Sequence, residues 1–222
     1  DLDPIATFIT KVTCMSPVDL SRLVRSYEGI EKEVSGKINK LYETSCVKCG
    51  SRTTMINTVW KENEPKFCFY YCESCGYRGT KPYEEEDHEK LAEIGRIPSS
   101  WFPENIVLPE DSDVRFLHEL FTERNRVSLS LLYNEICKEE DQTTKDLLLI
   151  MFFSTLTRCS KLIFVNQYRL GRRMNPAGVW GEKRFWVPKE YIENNVFYYF
   201  KARLAKVLKA KRETNFLIDH YF

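Results

Sequence analysis

"CVKCG" at residues 46–50 and "CESCG" at 72–76 decide how this chain is read. Zinc takes four tetrahedral ligands, and thiolate is a good one. Two residues between paired cysteines let the backbone turn tightly while both sulfurs reach one ion. The glycine after each second cysteine suits such a turn, because it tolerates dihedrals other residues avoid. Two C-x-x-C-G units, with 22 residues between Cys49 and Cys72, are a strong pattern for a zinc ribbon. The spacing predicts Cys46, Cys49, Cys72 and Cys75 as ligands of one structural Zn2+. Cys68 stands four residues before Cys72 and could replace a ligand, but its alternation with Phe67 and Phe69 suits a packed strand position. Thiol redox chemistry fits less well, since a thioredoxin-like C-x-x-C stands alone after a strand in a βαβ unit. A closed four-cysteine site leaves no open coordination position, so it is structural rather than catalytic.

Around the knuckles, residues 43–80 alternate in polarity, as in "TTMINTVW" and "KFCFYYC", and read as strands. Elsewhere helical spacing dominates. Apolar residues recur from Pro17 to about Tyr42, over 112–137 and 142–159, and from about 190 to 212, where Ile192, Val196, Phe200, Leu204 and Leu208 fall every fourth residue. The predicted fold is mainly α with a small β zinc ribbon insert. Its organisation is residues 1–42, a strand end plus helices; 43–80, the four-Cys ribbon; 81–111, an acidic and Pro-rich connection; and 112–222, a helical region with a basic loop.

The chain has 222 residues and a formal net charge of +1, which by itself excludes nothing about partners. The distribution says more. Residues 81–150 carry 8 Lys and Arg against 17 Asp and Glu, and residues 151–222 carry 14 against 5. A basic last third can mark a part that touches a polyanion, or one that packs on the acidic part. Within it Arg158, Lys161, Arg169, Arg172, Arg173, Lys183 and Arg184 are interleaved with Tyr168, Trp180, Phe185 and Trp186. Lys and Arg bind phosphates and aromatics stack on bases. The alternative is a solvated loop with core aromatics; on the first reading Arg169, Arg172, Arg173, Lys183 and Arg184 are the candidate nucleic-acid-binding residues.

No apolar run reaches the roughly 18–20 residues that span a bilayer, and no signal peptide is visible. Eight cysteines in a chain of this length are too sparse for a secreted disulfide scaffold. These features predict a reducing, cytoplasmic setting without membrane contact. His88, His118 and His220 match no catalytic or metal spacing, and no P-loop or G-x-G-x-x-G is present. No catalytic residue is assigned.

A resemblance adds to this reading. "DLDPIATFIT" at 1–10 is similar to the end of strand two in S-adenosylmethionine-dependent DNA amino-methyltransferases, where "G-V-D-L-N-P-I-A" is common. "LFTERNRVSLSLLYNEI" at 120–136 resembles the "L-F-T-x-R-N" helix start of adenine-specific DNA methylases. A helix like "LLLIMFFSTLTRCSKL" (147–162), a basic loop, "WVP" (186–188) and a helix like "NNVFYYFKARLAKVLKAK" (194–211) follow in the family's order. The resemblance covers most of the chain. It implies the helical and recognition part of an α/β methyltransferase, with Asp1 bonding the cofactor's ribose hydroxyls. Asp3 stands where the family has Asn.

In that family the glycine-rich loop precedes this segment and the "D-P-P-Y" type tetrapeptide follows it. The chain is therefore expected to be an internal segment, inactive alone. "NPAG" at 175–178 lacks the second Pro and the aromatic of that tetrapeptide. The parent enzyme would flip a base out of the duplex and methylate its exocyclic amine, adenine N6 ahead of cytosine N4. DNA and the remainder of its own methyltransferase domain would be the partners. The alternative is a non-catalytic zinc-ribbon module that binds nucleic acid or a protein.

Overall fold

The computed structural model describes residues 3–14, 17–97, 102–165 and 185–221. Its elements run α1 (Pro4–Cys14), α2 (Leu20–Leu41), β1 (Glu43–Ser45), β2 (Arg52–Lys61), β3 (Glu64–Tyr71), β4 (Arg78–Pro82), α3 (Glu85–Ile94), α4 (Glu123–Cys137), α5 (Gln142–Arg158), β5 (Glu190–Asn194) and α6 (Val196–Tyr221).

Helices α2, α4 and α5 each begin where a side chain satisfies free N–H groups of the first turn. Asp19 accepts from Ser21 N and Arg22 N, Thr122 from Asn125 N, and Asp141 from Thr144 N. Helix α2 then buries Leu23, Tyr27, Ile30, Val34 and Ile38 along one stripe. That stripe meets α4, α5 and α6 in a core that also takes Met55, Cys68 and Tyr70 from the sheet. Apolar spacing of three and four residues is what places these side chains on one face.

The expected fold, mainly α with a small ribbon insert as part of an α/β methyltransferase, is corrected here. The described residues are about 54% helix and 18% strand, and their strands form one five-stranded antiparallel sheet. Every strand pairing among the described residues is antiparallel, unlike the parallel sheet of an α/β fold. The ribbon does not stand apart from the rest. β2 is the spine: β3 lies on one edge, and β1 and β5 share the other. β5 comes from a segment over 120 residues away in sequence and pairs Lys61↔Glu190 through Asn57↔Asn194.

Residues 190–194 were expected at the head of a helix running to 212. They form β5 instead, and the helix starts at Val196. Ile192 falls on the helical stripe of Val196 and Phe200, but it also faces Val59 and Ile163 in a small second cluster on the sheet. Asn195 enforces the boundary. Its Oδ1 accepts from Tyr198 N at 3.0 Å, in the manner of an N-cap, while its Nδ2 donates to Met55 O.

The β2–β3 connection is the two-residue loop Glu62–Asn63, with φ of 52° and 64°. Both positive values match the hairpin turn whose twist suits the flanking strands. Asn tolerates this conformation; Glu does so at a cost.

One buried polar cluster joins sheet to helices. Arg124 on α4 pairs with Glu193 on β5, and their side chains are 2% and 0% exposed. Arg124 also donates to Thr58 Oγ1 at 3.0 Å and Tyr83 Oη at 3.3 Å. Glu193 further accepts from Trp60 Nε1 at 2.9 Å and from Thr122 Oγ1. Asn125 accepts from Tyr42 Oη at 2.6 Å and donates to Cys159 O at 2.7 Å. Burial disfavours the Arg124 cation, and Glu193 more than compensates, holding its pKa above the usual value. Burial and the Glu193 charge both push Tyr42 upward, so it stays a neutral donor.

Removing one partner of a buried ion pair leaves the other charge unpaired, at about 3–5 kcal/mol. Glu193→Gln should therefore lower unfolding free energy by about that amount in urea titrations. The double change Arg124→Met with Glu193→Leu should cost less than either single change. A Glu193→Gln protein as stable as the wild type would remove the pair from its central role.

Candidate metal centre

The two knuckles are built alike. Gly50 N bonds Cys46 O at 2.9 Å, and Gly76 N bonds Cys72 O at 2.8 Å. Both glycines have φ of +71°, a conformation that strains any residue with a Cβ. Each first cysteine also donates its N–H across the turn, Cys46 to Ser51 O and Cys72 to Tyr77 O. These bonds close two tight loops at the ends of β1–β2 and β3–β4.

The loops face each other. Cys46 Sγ lies 3.7 Å from Cys75 Sγ, and Cys49 Sγ lies 3.6 Å from Cys72 Sγ. All four sulfurs fall within 4.8 Å of one another. A tetrahedron of thiolates at the usual zinc–sulfur distance has edges of about 3.8 Å. The four thiols could thus hold a metal ion with little rearrangement.

Electrostatics make the same point. Four sulfurs this close cannot all ionise without a cation between them. Burial opposes ionisation of Cys46, but the N–H groups of Lys48 and Cys49 and the Tyr70 hydroxyl outweigh it, bringing the thiol down to about 6. Cys75 goes the other way. The Tyr77 N–H favours its thiolate, but burial and its three neighbouring cysteines push it up to about 12. A bound cation would remove this conflict.

The surroundings fix the ligands in place. Tyr70 Oη lies 3.8 Å from Cys46 Sγ and accepts from Val47 N at 3.0 Å. Tyr70 packs on Tyr77 at 5.7 Å, and Lys48 sits over the Tyr77 ring. Beyond them a charge cluster, buried at Lys81 and Asp87, ties the ribbon to α3. Lys81 on β4 pairs with Asp87 at 3.0 Å and Glu84 at 2.7 Å, and Thr44 on β1 donates to Asp87 at 2.7 Å.

Cys68 is outside the metal group. It is fully buried in β3, opposite Lys81, and burial and Asp87 push its thiol up to about 12. Asp1 and the predicted DNA-binding residues Arg169, Arg172, Arg173, Lys183 and Arg184 lie outside the described residues, as does "NPAG". Of the same basic stretch, Arg158 ends α5, and Lys161 lines a cleft between α4, β5 and the β2–β3 turn. Sequence reasoning did not single out Arg124 or Glu193, which lie in stretches it read as helical. The one signal pointing to Arg124 was its place inside "LFTERN".

No family model matches the chain, and neither does any curated protein or solved structure. Among the described residues, no helix is long and apolar enough to cross a membrane.

Metal analysis of the purified chain should give one ion per molecule. Cys49→Ser should lose most of that metal and lower the melting temperature by several degrees, with the loosening centred on residues 43–80. A variant that keeps its metal and its melting temperature would contradict the assignment of Cys49.

Proposed function

We propose that this chain is the target-contacting segment of an S-adenosylmethionine-dependent DNA amino-methyltransferase, acting on adenine N6, with a structural zinc ion in the four-cysteine site. The observation that carries the reading is where the family-like strings meet. Thr122, Arg124 and Asn125 of "LFTERN" and Asn194 and Asn195 of "NNVFYYF" are far apart in sequence. All five are buried and clustered around Glu193 and the β2 spine. Their shared polar core supports reading the two strings as parts of one unit.

Exposed apolar side chains give a second line of support. Ile5 and Ile9 on α1, and Phe216, Leu217 and Tyr221 on α6, are exposed. These two helices are tied together by Lys211, which donates to Val12 O and Thr13 O. The remainder of a methyltransferase domain would cover such surface. In this reading zinc supplies no chemistry to methyl transfer; it clips two hairpin ends so that the sheet edge is ordered. The cofactor contact that the resemblance implies, Asp1, lies outside the described residues.

The self-contained four-thiol site also suits a second reading, a non-catalytic ribbon module for nucleic acid or a protein partner. Methylation separates the two. Full-length protein, incubated with duplex DNA and cofactor carrying a labelled methyl group, should place label on adenine N6 in digested DNA. Zinc-loaded full-length protein that labels no DNA, yet binds nucleic acid, would favour the module.

A further inference from the structure

A cleft of about 740 Å³ opens between the β2–β3 turn, the residues leading into β5, and the first turns of α4. That is within the range of small-ligand sites and far larger than a bare anion needs. Its apolar wall includes Trp60, Phe121 and Tyr191, with Trp60 and Tyr191 stacked at 5.9 Å. Its charges are unusual. Lys161 lines the cleft half-buried, and among the described residues its ammonium has neither a hydrogen bond nor an ion pair. Burial first, and the Arg126 cation second, hold its pKa below the ordinary lysine value, against the weaker opposing pull of Glu119, Glu193 and Glu123.

Four carboxylates border the same space, and none is paired with Lys161. Asp113 accepts from Val187 N at 2.8 Å, and Glu119 from Phe116 N at 2.7 Å. Glu123 lies 3.5 Å from Arg126, and Glu62 sits in the hairpin turn. His118, also lining the cleft, has a buried Nδ1 without a hydrogen-bond partner among the described residues. A half-buried lysine beside an arginine, with no carboxylate within ion-pair distance, is a costly arrangement for stability. An oxyanion entering the cleft would receive charge-assisted bonds from both cations and remove that cost.

We propose that this cleft binds the phosphate of a nucleotide, with Lys161 and Arg126 holding the phosphate and the aromatic wall facing the attached nucleoside. A free nucleotide and a nucleotide of a DNA strand present the same group. The inference does not require that the protein methylate anything.

Titrations of the zinc-loaded chain with adenosine monophosphate and with a single-stranded 12-nucleotide DNA distinguish the sources. Lys161→Ala should weaken whichever ligand binds by about tenfold or more, and Arg126→Ala should do the same. For DNA, the slope of log affinity against log salt should fall by about one for each lost phosphate contact. Lys161→Arg should retain binding. Lys161→Met should lose it while melting no lower than the wild type, an outcome that a purely structural lysine would not give. Mononucleotide binding that vanishes in Lys161→Ala, with DNA unable to bind, supports the cleft and counts against DNA contact there. DNA binding lost in both alanine variants, and displaced by the mononucleotide, supports the cleft as part of a DNA path. The proposal is overturned if the wild type binds neither ligand, or if Lys161→Ala and Arg126→Ala bind both as the wild type does.

Discussion

Arg124 and Glu193 form the contact on which the rest of the structure depends. Each is a charge taken out of water, and each would be expensive alone. Together they are completed by Thr58, Trp60, Tyr83 and Thr122, so that neutral donors and acceptors from β2, the turn into α3 and the α4 cap converge on one pair. Satisfied networks of this kind specify geometry strongly, because a shifted register would strand a charge. The pair fixes β5 against β2 and sets α4 on the sheet. Asn125, one residue further on, extends the network to Tyr42 at the end of α2 and to the carbonyl of Cys159 after α5.

This changes the standing of the cysteine ribbon. Taken by itself, a piece of about 38 residues buries too little to be stable, and a metal would have to hold it. In the protein its central strand is shared. Asn57 to Lys61 pair with β5, and the Thr44–Asp87–Lys81 cluster anchors the other strands to α3. A metal held by the four cysteines would therefore order the two knuckles at the far end of a sheet whose near end is built into the main core.

The sequence made the local features plain. The C-x-x-C-G turns are set by residues within five positions of one another, and their glycines adopt the conformation that the motif demands. The stripe of α2 is likewise a matter of nearest turns. What escaped is nonlocal. "EYIEN" carries no strand signal of its own; it is a strand because β2 supplies an edge, and Ile192 satisfies both a helical and an extended period. Arg124, Glu193 and Lys81 look like solvated charges in a sequence, because a charge announces its partner only in three dimensions. Lys161 was legible as one of a row of basic residues, but its lack of a carboxylate partner was not. Asp1 and the basic loop, the cofactor and DNA candidates, lie outside the described residues, so the sequence reading of them stands as an expectation.

The most direct test of this account is amide hydrogen exchange on the metal-loaded chain and on the same chain after chelation. Two groups of amides report separately. Gly50 and Gly76 donate within the knuckles, while Ile192 donates to Ile163 O at the β5 end. If the buried pair holds the sheet and the metal only clips its tip, chelation should collapse protection at Gly50 and Gly76 and leave Ile192 and its β2 neighbours protected. Loss of protection at Ile192 together with the knuckles would show that the metal, not Arg124 and Glu193, holds the structure together.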